Sequence, residues 1–470
     1  MIYERDLISL FLSSLLYMSS LYAQSDIEKE VIAQFQQDFN AQNYAAIFEK
    51  FSPEAKKAIP LNMFEKVSKD LQQQLGTIQS LEYLESKGKE TAVYKANFEK
   101  DRLKLSMSLN NDQQISGLLF TPYIESTAAN NKTVNAIQGY PKAIAEKIYQ
   151  ATRTFPEQTQ VAIAVLDQDQ IHYYGVQKHK EKIQAQANQD KVFAIGSLTK
   201  VMTSTILAEL VTQNKIKLDD KINSYYAFPF KDNIQVRFQD LANHTSGLPR
   251  LPSNLEVDDD TDPYKEYDAA KLEEYLKNSL ELEHANNSGK VPHYSNLAVA
   301  LLGQSLSQSQ NKDFVELLNV YVFKKYGMKN SYTSPDQAAK QLVPAFDAKG
   351  KEITTWSFNT FLAAGGVFST ASDLTRFAQA QLDAKNAAVQ LTQQATTEQA
   401  GSYQLGLGWF VREQENGTKI IWHGGNTAGH SAILMIDLNK KKAVTILANI
   451  AAVHPEMGNI EKLAAQLLQE

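Results

Sequence analysis

Residues 193–200 read FAIGSLTK, which places Ser197 three positions ahead of Lys200. A serine hydroxyl is a useful nucleophile only when a neighbouring base takes its proton. An amine one helical turn away can be that base if burial disfavours its ammonium form. The spacing alone selects nothing, because Ser-x-x-Lys also occurs at Ser86/Lys89 and Ser309/Lys312. Ser86 falls in the polar stretch LESKGKE, read as a turn between strands, and Ser309 in QSLSQSQNKD, read as a helix end. Both are expected to be ordinary surface pairs. Ser197 instead follows the short extended VFAIG and opens a run in which Val201, Met202, Ile206, Leu207, Leu210 and Val211 recur at helical spacing. A serine there is either the helix cap or a nucleophile. Its own N–H, at the positive end of the helix, is then available to an oxyanion.

Two further stretches favour the nucleophile. VPHYSNLAVALLG carries the only Tyr-x-Asn of the chain, Tyr294 and Asn296, directly ahead of a second apolar helix. A phenol beside an ammonium loses its proton more easily and can serve as base toward a serine, then as acid toward a leaving group. The Asn296 amide can donate to a substrate carbonyl and accept from Lys200. WHGGNTAGHSA places His423, Gly424 and Gly425 at the end of a strand. Glycines there let a substrate lie along the backbone, and the Asn426 N–H becomes a second oxyanion donor opposite Ser197.

The elements that must position these residues are legible in outline. From Asp26 the chain is amphipathic, with Ile27, Val31, Ile32, Phe35 and Phe39 at helical spacing, and helical stretches follow around 42–51 and 60–75. TAVYKANF and RLKLSMSL then alternate with period two, so a small α+β domain over 26–125 is expected, followed by a polar linker at 126–140. Beyond it, over 141–470, apolar strands are expected at 160–166 and 171–176, and again at 418–422, 431–437 and 443–449, with helices between. That order implies one sheet assembled from both ends of the second domain.

The 470 residues suit two or three domains, and a net charge of −6 without a basic stripe excludes a nucleic-acid partner. LISLFLSSLLYMSSLYA at 7–23 reads as an export signal with Ala23 at the cleavage site, the alternative being an uncleaved anchor; no other segment is apolar enough to span. A periplasmic, cell-surface or secreted location is expected. With no cysteine, a thiol nucleophile and a disulfide framework are excluded. No metal-ligand cluster is evident, so no metal or cofactor is expected. The acidic run EVDDDTD at 256–262 reads as a solvated loop, and His430 as a packing residue. AGHSAI invites an α/β-hydrolase reading with Ser431 as nucleophile, but Ile433 stands where the second glycine of the elbow belongs.

The motifs together resemble the penicillin-recognising serine hydrolases of the class C β-lactamase type, with their D-aminopeptidase, DD-carboxypeptidase and esterase relatives. The likeness covers roughly 140–469 and rests on IGSLTK, LANHTSGLP, HYSN, AAGGVFSTASDL, YQLGLGWF and HGGNTAGHS, in that order. It implies an antiparallel five-stranded sheet flanked by helices, with a mostly helical subdomain. It implies Ser197 as acylated nucleophile, Lys200 and Tyr294 as its proton handlers, Asn296 as a substrate contact, and 423–426 as the edge strand of the site. The first domain loosely resembles nuclear-transport-factor-2-like cones, whose partner here is unknown. One departure stands out. Position 423 is histidine where β-lactamases of this type have lysine, and an unperturbed histidine is only about a quarter charged at neutral pH. Weak β-lactam hydrolysis is therefore expected, with esters, amides or D-amino-acid peptides as better substrates; the alternative is a penicillin-binding sensor or scaffold with little turnover.

Overall fold

The computed structural model describes residues 26–59, 61–88, 90–123, 132–255, 262–283, 290–399, 402–414 and 416–470. The expected leader at 1–23, Lys89 and most of the acidic run lie outside the described residues. The main division between two compact units falls between residues 125 and 126.

In the first unit, helices Asp26–Asn40, Tyr44–Glu49, Pro53–Ala58 and Leu61–Leu75 precede an antiparallel meander of Ile78–Lys87, Thr91–Phe98, Arg102–Leu109 and Ile115–Pro122. The period-two residues Ala92, Tyr94, Ala96, Leu103, Leu105 and Met107 share one core with Ile32, Phe35 and Phe39 of the first helix. The helical stretch expected at 60–75 is one helix, whereas the region before it holds two short ones.

The second unit holds the expected five-stranded antiparallel sheet as the middle of a larger one, ten-stranded among the described residues. Its middle is an antiparallel run of Phe410–Glu413, Lys419–Asn426, Ser431–Asp437, Lys442–Ala448 and Gln160–Asp167. Short strands lengthen it at both edges. Val134–Ala136, inside the stretch read as linker, pairs in parallel with Lys182–Ala185, so the sheet begins earlier than composition suggested. The single strand expected at 171–176 is two, Gln170–Tyr173 and Val176–His179, which pair with opposite ends of Gln160–Asp167.

The apolar run QVAIAVL shows no polar alternation because both faces of its strand are covered. Ala162, Ala164 and Leu166 point into the core that holds the helix Thr199–Thr212; Val161, Ile163 and Val165 point into a second core with Ile148, Leu463 and Leu467. Those last three lie on the helices Lys142–Thr152 and Asn459–Gln469. The helix Thr199–Thr212 is buried from Thr199 to Leu210, wrapped on every side rather than along one stripe. Its polar side chains are accommodated by hydrogen bonds, Thr203 Oγ1 to Ala363 O at 2.7 Å and Thr205 Oγ1 to Val201 O at 2.8 Å. No helix among the described residues is long and apolar enough to cross a membrane.

His430 fixes the turn between the strands Lys419–Asn426 and Ser431–Asp437. Its Nε2 lies 3.0 Å from Val343 O, which makes it the protonated nitrogen, and its ring meets Phe193 edge-on at 5.8 Å. Burial lowers its pKa from 6.5 to about 4. The unfolded chain therefore takes up a proton below 6.5 that the folded one refuses, and stability falls as pH drops from 6.5 to about 4. This one ring accounts for a loss of about 3 kcal/mol. Urea titrations at either end of that window are expected to show a flatter pH dependence in His430→Gln than in the parent; identical slopes would remove the assignment.

Candidate active site

Ser197 sits in a 3-10 turn, Gly196–Leu198, that runs straight into the helix Thr199–Thr212. It caps neither element, since no side-chain cap hydrogen bond is made at either start. The turn is pressed against the strand Lys419–Asn426 at its Gly425 end. A Cβ on Gly425 would stand 1.9 Å from Ile195 O and 2.8 Å from Ser197 N, and one on Gly196, whose φ is +50°, would stand 2.6 Å from Asn426 N. Only glycine fits at either point. The approach brings the main-chain amides of Ser197 and Asn426 to the same place, as oxyanion binding requires.

Lys200 is fully buried, with Nζ 3.0 Å from Ser197 Oγ and 2.6 Å from Ala364 O. Burial, helped by the positive charge of Arg250, drives its pKa well below the ordinary lysine value. A neutral amine in that position donates to the Ala364 carbonyl and keeps its lone pair for the serine proton.

Tyr294 is held by five hydrogen bonds between its own segment and the loop 244–250. His293 N donates to His244 O (2.7 Å), Ser295 N to His244 Nδ1 (3.2 Å), Ser295 Oγ to Pro249 O (2.6 Å), and Asn296 N and Leu297 N to Arg250 O (3.0 and 3.2 Å). The His244 ring lies 4.5 Å from the Tyr294 ring. Lys200 Nζ and the Arg250 guanidinium stand over the same phenol, 5.0 and 5.4 Å from its centre. Here the structure corrects the sequence-based electrostatics. Burial raises the Tyr294 pKa to about 12, against smaller opposing effects of the Ser197 hydroxyl and Arg250. Burial thus favours the protonated phenol and the neutral amine, which leaves the amine able to accept a proton and the phenol able to donate one.

Asn296 does not accept from Lys200 as expected. Its Oδ1 is buried without a partner, while Nδ2 reaches the Tyr264 hydroxyl at 3.4 Å. His423 is also less available than its residue type suggested. Burial, with Lys200 nearby, lowers its pKa to about 3, and Nδ1 lies 2.5 Å from Gly424 O. The third motif therefore presents a neutral ring at any physiological pH.

Ser197, Asn296 and Asn426 line a small pocket, partly open to solvent, together with an aromatic wall of Tyr264, Trp356, Phe358 and Phe361. Tyr264 stacks on Phe358 at 5.4 Å and meets Trp356 edge-on at 5.9 Å. Trp356 Nε1 is buried with no partner. The individual aromatics of this wall and Arg250 were not singled out from sequence; they come from separate loops and carry no mutual spacing. The rival serines do not resemble this site. Ser86 lies on a strand rather than in a turn and bonds the Tyr83 hydroxyl, Ser309 ends a helix with its Oγ on Leu306 O, and Ser431 is buried with its Oγ on Ile450 O.

Three outcomes are expected. With a neutral activated ester, kcat/KM is lost as pH falls through the depressed Lys200 pKa and shows no alkaline limb below the Tyr294 value of about 12. Lys200→Arg, a fixed cation, should cost about 10²–10⁴-fold at every pH; retention of the parent profile in that variant would exclude the lysine as base. Gly425→Ala should lower kcat by about 10²-fold or more, by displacing an oxyanion donor, while a substitution of the exposed Lys191 used as control leaves kcat near the parent value.

Comparison with known proteins places the second domain in a family. The Beta-lactamase family model matches residues 150–469, and a model of unknown function, DUF3887, matches 33–118. The chain is 28% identical over 298 residues to the D-alanyl-D-alanine-carboxypeptidase/endopeptidase AmpH of Escherichia coli, covering 58% of this chain and 74% of that protein. It is 27% identical over 225 residues to a Providencia stuartii β-lactamase, covering 46% and 53%. A β-lactamase/D-alanine carboxypeptidase structure from Pseudomonas syringae superposes with a TM-score of 0.58 at 19% identity over 73% of this chain and 99% of that one, which shows a shared fold. With the match spanning most of the domain that holds Ser197, Lys200 and Tyr294, and more than half of the chain, the chain belongs to the Beta-lactamase family.

Proposed function

We propose that this protein is a serine hydrolase that works through an acyl-enzyme on esters, amides or D-amino-acid-containing peptides and is a poor β-lactamase. The observation that carries the reading is Ser197 Oγ lying 3.0 Å from the Nζ of a buried lysine with a depressed pKa. In the proposed acylation, Lys200 takes the Oγ proton as Oγ bonds to the substrate carbonyl carbon. The carbonyl oxygen becomes an anion facing the Ser197 and Asn426 amides. Collapse expels the leaving group, which takes the Tyr294 phenolic proton, and the Lys200 ammonium returns a proton to the phenolate. Water then replaces the leaving group and the same transfers run in reverse.

Peptide-like acyl groups suit the pocket. Asn296 Oδ1 is an acceptor and Trp356 Nε1 a donor, both buried and unpartnered beside an aromatic wall, and an amide in the substrate supplies the complement of each. Poor β-lactam turnover follows from His423, whose neutral ring gives the substrate carboxylate no charge. Export through the 7–23 segment would place the enzyme among cell-wall and extracellular substrates.

Purified protein exposed to a fluorophosphonate is expected to gain the mass of one adduct, and Ser197→Ala none, with ester hydrolysis in that variant reduced by about 10³-fold or more. Faster turnover of a cephalosporin than of a simple activated ester would sink the substrate assignment. A stable penicillin adduct with no turnover of any ester would make the protein a sensor instead.

A further inference from the structure

The family-like motif LANHTSGLP is followed by Arg250, whose backbone is fixed by the hydrogen bonds its carbonyl accepts from Asn296 and Leu297. Its side chain is exposed and stands over the Tyr294 ring. Among the groups gathered around Ser197 it is the one that keeps its charge. Lys200 and His423 are held toward their neutral forms, whereas a guanidinium does not deprotonate in proteins. Its charge is felt by Lys200, His244, Tyr264 and Tyr294; no carboxylate among the described residues acts on those four or on His423. Nor does Arg250 form an ion pair with any described carboxylate within 4.0 Å.

Position decides what that charge is for. The leaving group must lie where Tyr294 can protonate it, and the Arg250 guanidinium stands 5.4 Å from the centre of that ring. We infer that Arg250 binds a carboxylate carried on the leaving group, from the Tyr294 side of the cleft, in place of the cation that the third motif lacks at His423. The substrate class is then narrower: acyl compounds whose departing part ends in a carboxylate, as the C-terminal residue of a peptide does. This rests on the serine hydrolase reading above. Because the guanidinium is solvent-exposed, its attraction is weaker than that of a buried cation, and it restores carboxylate binding only in part.

The test compares two esters of one acyl group, a phenyl ester and its 3-carboxyphenyl counterpart, on the parent, Arg250→Gln, Arg250→Lys and Ser197→Ala. The parent is expected to favour the carboxylated ester, chiefly through a lower KM, by about 10-fold, and to lose that preference as salt rises. Arg250→Gln should abolish the preference by raising KM for the carboxylated ester, with a much smaller effect on the phenyl ester, and Arg250→Lys should restore part of it. Equal losses on both esters would mean that Arg250 only props the Tyr294 segment, and absence of a preference in the parent would equally overturn the proposal. Full activity in Ser197→Ala would instead remove the hydrolase reading on which it stands.

Discussion

The site depends on one close approach between two stretches of backbone. The Gly425 end of a sheet strand lies so near the turn 195–198 that a single added methyl group would overlap Ile195 O. The sheet sets one side of that approach through register, with Gly425 opposite Ala432 and Asn426 opposite Ser431, and Ser431 in turn opposite Ala448. The other side is set by a helix buried from its first residue, which cannot slide without disrupting the core around Val201, Met202 and Ile206. Sheet and helix therefore meet at the serine because each is fixed elsewhere. Neither amide needs a special side chain; both need the absence of one.

The same burial that fixes the helix sets the charge state of the chemistry. Lys200 lies in a site that strips water from its ammonium, and its Nζ compensates with one carbonyl, Ala364 O, rather than a carboxylate. A carboxylate partner would have held the proton on the amine and left the serine without a base. Tyr294 is shifted the opposite way by the same cause, because desolvation favours whichever form is neutral. A single physical effect thus shifts both groups toward their neutral forms, in opposite directions because they are of opposite charge type.

Much of this was legible from sequence, and the limits follow from what a sequence encodes. Ser197, Lys200 and the helix after them are local, so spacing and apolar periodicity revealed them. The strands 431–437 and 443–449 were legible for the same reason, apart from shifts of a residue at the ends. The direction of the Tyr294 shift was not, since it depends on how deeply a loop from 244–250 buries the phenol. Nor was the freedom of Asn296 Oδ1, because the competing carbonyl of Ala364 comes from a segment far along the chain. Arg250 carries no pattern at all: an arginine after a proline in a loop gains meaning only when the ring it covers is known. The strand Val134–Ala136 escaped notice because three residues among polar neighbours show no period.

The pocket also carries a cost that bears on how it works. A buried polar atom without a partner destabilises a fold by about 1–3 kcal/mol. Asn296 Oδ1 and Trp356 Nε1 are two such atoms, on residues that line the same pocket as Ser197. Each side chain is held in place by rigid surroundings: Asn296 opens a helix whose first amides bond Arg250 O, and Trp356 precedes Ser357, whose amide and hydroxyl both bond Asp262. Neither can easily turn away to find a protein partner. The folded state thus keeps two hydrogen-bonding positions unsatisfied by the protein, and under the proposed function a substrate amide would be their partner. That is the same arrangement, in side chains, as the two main-chain amides at Ser197 and Asn426: polar groups positioned by the fold before the charge or partner they serve has arrived.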